Sequence, residues 1–587
     1  MGKITGTKMK IAKNSRRVAL GMVTLCFALQ SCQFIEKKEV DTEDESASAA
    51  VDTETEITET TKEPLWTPYD ETAEIEENAN HENDRMQFKF IQSKILDKNE
   101  VFAPLHAEVS KFPKEKYEMM KPLVLEQDIP TIQNAVKEGK FNYTELVLFY
   151  LSRIYRYELD KTTTLNTVIA LNPNILDEAK KLDANVEGHH PIYGMPILLK
   201  DNIGTSGMNT TAGAIALRDN QTDDAFIVQR LKENGALILG KVNLSEWANF
   251  ICECPNGQSA IGGQTLNPYG RRVFDTGGSS AGSGTSVAAN YAVAAVGTET
   301  SGSILSPSGQ NSVVGMKPTV GLLSRTGIVP ISSTLDTPGP MTKSVVDNGI
   351  LLDAMRGFDM EDEKSVKADW DKNWYAEEVS LKGKRFGALK NYMESDSIYR
   401  ETMERLKVAG ATIIEIEPPE VHFDGFLSIL NIDMKNDLPS YIEAHVKDTD
   451  GVSVRSVQDV VEFNQKDSLI RIPYGQARLD GILADTTSAE GLKAIKQRTR
   501  RAGRTYFNTP MNDHGLDAIL SINNHDAGAA AAAEYPALTV PMGYKVSGEP
   551  INLTFIGKQF QEGKLYALGA AFESLIQARK IPKAYMD

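Results

Sequence analysis

The stretch that decides the fold is DTGGSSAGSGTSVAANYAVAAVGTETSGSILSPS, residues 275–308. Here Gly277, Gly278, Gly282, Gly284, Gly297 and Gly302 frame Ser279, Ser280, Ser283, Ser301 and Ser303, so backbone N–H groups and hydroxyls come close together with little bulk between them. A phosphate-binding loop would end in Gly-Lys-Ser/Thr, yet no lysine lies between Arg272 and Lys317. The pentad Gly278-Ser279-Ser280-Ala281-Gly282 fits a G-x-S-x-G nucleophile elbow, which would make Ser280 the nucleophile and draw a base from His422, His445, His514 or His525. That reading leaves GTETSGSI at 297–304 without a task. A flexible linker would not carry the packing residues Val287-Ala288-Ala289 and Ala292 to Val296.

Working outward, PIYGMPILLKDNIGT at 191–205 places Lys200 at the end of an apolar strand and before Asp201-Asn202. These three elements together resemble the amidase signature family, whose pattern joins GGSS-G-S to GT-D/E-T-x-GSI, with a lysine upstream in a hydrophobic strand. Ser279 and Ser303 stand twenty-four positions apart, as the pattern requires. The resemblance runs over roughly residues 115–587, through GKVNLSEWANF at 240–250, VVGMKPTVGLLSRTGIVPIS at 313–332 and LDTPGPMTKSVVD at 335–347. On NLSEWANF, GGQTLNPYG and GTET it is nearest the branch that contains peptide amidase. Ala281, Ser301 and Leu305 depart from the usual residues, and the latter two sit beside Ser303.

The resemblance implies an α/β amidase-signature fold, a large open mixed sheet with helices on both faces and a helical insert. It also implies a Ser-cisSer-Lys triad of Ser303, Ser279 and Lys200 with a cis Gly278-Ser279 peptide, Ser280 and Asp201 in support, and neither cofactor nor metal. Such chemistry needs a lysine that is neutral. At the ordinary lysine value of ~10.4 only about one molecule in 2500 is neutral at pH 7, so the apolar run Met195 to Leu199 must lower it by burial. The small residues of the turn Thr300, Ser301, Gly302 and Ser303 are expected to aim successive N–H donors at one oxyanion. Lys241 and Lys317 sit in family-like motifs but do not precede Asp-Asn after a buried strand, and read as structural.

The periodicity supports that architecture. Strands are expected at 166–170, 195–200, 236–240, 384–390, 411–416, 537–543 and 552–558, with helices at 173–186 and 222–235 between them. An α-helical lead-in has Thr131 or Asn142 as cap, and 420–510 is polar, helical and without strand runs, fit for a lid or a substrate-selecting wall. Alternation of this kind makes an α/β sheet.

The N-terminus is of another kind. Residues 1–31 carry six cations, no acid and the apolar run VALGMVTLCFAL at 18–29, which reads as a secretory signal. Leu29-Gln30-Ser31-Cys32 resembles a bacterial lipobox, which makes Cys32 the lipid site and the cell envelope the location. Residues 32–90 read as an acidic disordered tether, with 18 acids against 4 bases between Glu36 and Arg85, and 91–587 as the amidase domain. The whole chain is −17 at pH 7, which argues against a nucleic-acid partner. Cys252 and Cys254, one residue apart, read as two buried thiols. Expected partners are a small or peptide amide substrate and a membrane reached only through the lipid, with no obligate subunit. Competing readings are a catalytically dead envelope ligand-binding protein and a glutamine-hydrolysing amidotransferase subunit, the latter opposed by the export signal.

Overall fold

The apolar run before Lys200 becomes one strand of an eleven-stranded mixed sheet in the computed structural model, which describes residues 63–587 except 186–188 and 369–373. In chain order the strands are β1 (Val168–Leu171), β2 (Pro196–Lys200), β3 (Leu237–Val242), β4 (Ala294–Glu299), β5 (Val314–Lys317), β6 (Thr337–Thr342), β7 (Arg385–Leu389), β8 (Thr412–Ile416), β9 (Ala518–Ile522), β10 (Ala537–Tyr544) and β11 (Pro550–Ile556). They lie side by side as β1-β3-β2-β4-β6-β5-β10-β11-β9-β7-β8. β3, β2 and β4 are parallel to one another, so Val242, Lys200 and Glu299 end at the same edge, the edge at which open α/β sheets bind ligands. All five residues of β2 are buried, as a strand covered on both faces must be.

Strand β6 was not legible in the sequence. It carries Pro338 and Pro340, which cannot donate to a ladder, yet it pairs antiparallel with β4 through Thr298↔Pro338 and Val296↔Pro340. The expected helix at 173–186 is present over Ile175–Leu182, and Val186 lies outside the described residues. Asn142 caps the helix Tyr143–Glu158 with a reciprocal bond to Glu145. Thr131 is no cap: it lies inside the helix Ile129–Lys137, and its N–H donates to the true cap, Asp128.

The tether boundary needs correction. The signal, Cys32 and residues 33–62 lie outside the described residues, but 63–90 are not a free tether, because Trp66, Met86 and Phe88 are buried. The Glu71 carboxylate accepts the Gln92 N–H at 2.6 Å and pairs with Lys94 at 2.8 Å, and Asn78 Nδ2 donates to Met86 O and Arg272 O. A few anchors spaced widely through an acidic segment dock it, and an average over composition does not register them. The two cysteines also need correction, for Cys252 and Cys254 are buried but joined as a disulfide, their Cα atoms 5.2 Å apart.

The helical region contains Phe426–His445, Val457–Gln465, Ser468–Arg471, Ala477–Ala484 and Ala489–His514. It has an apolar cluster of its own, in which Leu438, Tyr441, Ile442, Val460, Leu479 and Ile482 pack with Leu217, Trp247, Phe250 and Ile251. The long helix Ala489–His514 lies close against the buried helix Ala527–Ala533 because Gly503 has no side chain, and a Cβ there would come within 2.6 Å of Ala533 N. Among the described residues no helix is long and apolar enough to cross a membrane.

Candidate active site

Strand β2 delivers Lys200, with no exposed surface, to the edge of the sheet. Its Nζ donates to Ser279 Oγ at 2.7 Å, to Thr298 Oγ1 at 2.8 Å and to Thr298 O at 3.1 Å. No ion pair includes it among the described residues. Burial therefore pushes the Lys200 ammonium down to about 7, while Asp336 and Glu299, acting from a distance, oppose the shift.

Ser279 follows a cis Gly278-Ser279 peptide and is fully buried, its carbonyl accepting the Ser245 N–H. Ser280 starts the helix Ala281–Ala288 and faces β4: its hydroxyl donates to Thr298 O and accepts from Thr298 N–H. It is thus occupied on both sides by strand backbone. The Ser280 N–H donates to Ser303 O at 3.2 Å, which brings Ser303 beside the buried pair. Ser303 is partly exposed, and among the described residues its hydroxyl has no hydrogen bond to Ser279 or to any other group.

The turn at 300–303 follows directly from β4 and is pinned on both sides by carboxylates. Glu299, buried, accepts the N–H groups of Ile304 at 2.7 Å and Leu305 at 3.0 Å, and Thr300 Oγ1 donates to Asp336. Between these anchors Gly302 takes φ +88°, a conformation that L side chains resist. Among the described residues the N–H groups of Thr300, Ser301, Gly302 and Ser303 donate to no other group. Of the two departures beside the turn, Ser301 is partly exposed, whereas Leu305 is buried in an apolar cluster with Phe507, Met511 and Ala527.

Asp201 turns away from the lysine before it. Its carboxylate pairs with Lys241 at 3.1 Å and accepts the Thr211 N–H and hydroxyl. Burial raises the Asp201 carboxyl and lowers the Lys241 ammonium, and their mutual attraction opposes both shifts. Asn202 Nδ2 donates to Thr298 Oγ1, so Thr298 touches both Asn202 and Lys200. Sequence reading missed Thr298, Glu299 and Asp336. The signal that could have found them was membership in the quoted motifs, GTET for Thr298 and Glu299 and LDTPGPMTKSVVD for Asp336.

A cavity of about 620 Å³ opens at this edge, with Thr298, Thr300 and Asp336 on one side and Tyr441, His445 and Lys496 of the helical region on another. The loop between the two is held by three carboxylates in succession. Asp336 accepts the N–H groups of Ile331 and Ser332, Asp437 that of Ser333, and Asp433 that of Thr334 along with the Ser332 hydroxyl. Among the described residues no group of three or more His, Cys, Asp or Glu is placed to hold a metal ion.

A fully buried lysine against a serine that follows a cis peptide, at the carboxyl edge of a mixed sheet, is the arrangement of one class of amide hydrolases. The chain belongs to the amidase family, whose model matches residues 145–522. A probable amidase of Arabidopsis thaliana is 36% identical over 478 residues, covering 78% of this chain and 92% of that one. Among solved structures, an amidase family protein from Bacillus anthracis has a TM-score of 0.79 at 37% identity and covers 84% of this chain and 100% of its own. The peptide amidase of Stenotrophomonas maltophilia has a TM-score of 0.72 at 36% identity, with 78% and 98% covered, in agreement with the resemblance to that branch. The protein is an enzyme that hydrolyses amides.

Proposed function

We propose that the chain hydrolyses a small carboxylic amide or the terminal amide of a peptide through an acyl-enzyme on Ser303. Neutral Lys200 takes the proton of Ser279 as Ser279 takes that of Ser303, and Ser303 Oγ attacks the carbonyl carbon. The N–H groups of residues 300–303 receive the negative charge that develops on oxygen, each such donor being worth ~3 kcal/mol in the transition state. Ser279 then returns the proton to the departing nitrogen, and water repeats the attack to free the acid. The observation that carries this reading is the 2.7 Å contact of Lys200 Nζ with Ser279 Oγ in a site where the lysine has no ion pair among the described residues and burial pushes it down to about 7. The cavity, at about 620 Å³, is of the size that holds a small molecule or the end of a peptide. The likeness to peptide amidase supports the latter.

A fluorophosphonate followed by peptide mapping tests the assignment. Label is expected on Ser303 and not on Ser280, whose hydroxyl is committed to Thr298. Label on Ser280 would sink the mechanism.

The basic, apolar N-terminus and its lipobox further support a lipid anchor at Cys32 and a place in the cell envelope. Cys32→Ala should abolish lipid labelling and release the protein, and full membrane retention of that variant would defeat the anchor.

A further inference from the structure

Between Lys493 and Arg504 the chain carries six cations, Lys493, Lys496, Arg498, Arg500, Arg501 and Arg504, and no acid, in a protein of net charge −17. All lie on the helix Ala489–His514, and Lys493, Lys496, Arg500 and Arg504 follow one face at spacings of three and four. That face begins at the cavity lined by Asn202, Thr298 and Thr300, neighbours of the proposed reacting residues. Lys496 and Arg500 line both the cavity and the next hollow, and Gln497 and Arg500 line that hollow and the one beyond it. Both outer hollows are lined by residues of this helix alone, so no other described element covers them, and Asp513 at the far end is the one acid among them.

The charges are also under-compensated. Lys496 pairs with Asp433 at 2.6 Å, but Arg500, Arg504 and Lys364 share the single carboxylate of Glu534. Lys493 and Arg501 are exposed and form no ion pair among the described residues. A fixed row of positive charge leading from the mouth of a reactive cavity concentrates anions along its length. From Lys493 to Asn512 the face runs about 30 Å, the span of roughly nine residues of extended peptide.

We propose that this face docks the body of the substrate, an acidic peptide whose terminal amide enters the cavity while its carboxylates lie along Lys493, Lys496, Arg500, Arg501 and Arg504. The inference rests on the amide-hydrolysing reading above and adds to it the chemical class of the substrate.

The test uses the full chain and three amides: a neutral small amide, a nine-residue peptide amide bearing several glutamates, and the same peptide with glutamines. At low salt kcat/KM for the glutamate peptide should exceed that for the glutamine peptide by about tenfold, and the ratio should fall toward one as salt is added. Lys493→Glu with Arg501→Glu should erase the ratio and leave the neutral amide within about twofold, since neither residue touches the reacting groups. In parallel, anisotropy of the labelled glutamate peptide on the Ser303→Ala variant reads binding without turnover. Equal handling of both peptides, or a ratio untouched by the charge reversal, overturns the proposal. So does tighter binding to phosphatidylglycerol vesicles than to the peptide, lost on the same reversal, which would assign the face to a lipid surface. If none of the amides is hydrolysed, the catalytic reading fails, and the anisotropy still decides whether the face binds the acidic peptide.

Discussion

Lys200 ends β2, Lys241 stands one residue before the end of the parallel neighbour β3, and neither has exposed surface. Lys241 Nζ meets a carboxylate, Asp201 at 3.1 Å, together with Ile203 O at 2.7 Å and Thr210 Oγ1 at 3.0 Å. Lys200 Nζ meets two hydroxyls and a carbonyl. The backbone setting is shared, and the partner differs. An ammonium buried without a counter-charge is expensive and gives up its proton, whereas one held against a carboxylate acts as a tie between segments. Burial alone does not make a base. In the mechanism proposed, the lack of a carboxylate partner is what leaves Lys200 as the base, since Asp201 is turned to the other lysine.

The largest effect that would break this contrast belongs to Lys200. Removing a member of a hydrolase's reacting set can cost up to about 10⁶ in turnover, and the members act as a unit. Lys200→Ala and Ser303→Ala should each be nearly inactive by ammonia release, with little further loss when combined. Lys200→Arg should be as poor, because a guanidinium keeps its proton. Substantial activity in Lys200→Arg would show that the side chain serves as a charge and not as a base.

Lys241 should fail in a different measurement. Lys241→Met strands the buried Asp201 carboxylate, and the denaturation midpoint should drop in keeping with a loss of about 3–5 kcal/mol. Adding Asp201→Asn should restore part of it. A Lys241→Met variant of unchanged stability but no activity would reverse the roles given to the two lysines.

The smallest and sharpest effect is in pH. With Lys200 lowered to about 7, kcat/KM should climb about tenfold per pH unit below that value and level off above it. The same group binds fewer protons folded than unfolded between about 7 and the ordinary lysine value, so its contribution to stability should rise with pH across that window. Lys200→Met should flatten that rise in stability. A kcat/KM limb near 10 would mean that the lysine is not desolvated in solution.

What could be read in advance follows from where the physics is local. The apolar run ending at Lys200, the small residues of 277–282 and 297–304 and the alternation of strands and helices are short-range patterns, and the sheet edge assembles from them. Glu299 and Asp336 act through bonds to Ile304, Leu305 and Thr300 that depend on how the chain folds back, so the motifs GTET and LDTPGPMTKSVVD mark their positions without disclosing what their carboxylates hold. Strand β6 is hidden by its own prolines, which are tolerated because the strand still contributes its other donors and all its carbonyls. At the N-terminus, the tether read over 32–90 from acidic composition extends too far, since Trp66, Glu71 and Asn78 hold residues 63–90 to the body.

The loop at 331–334 is gripped from the sheet side by Asp336 and from the helix Phe426–His445 by Asp433 and Asp437. Everything proposed to react comes from residues 200–303, while Tyr441, His445 and Lys496 of the helical region form another wall of the cavity, so this loop fixes the distance between the two where the cavity opens.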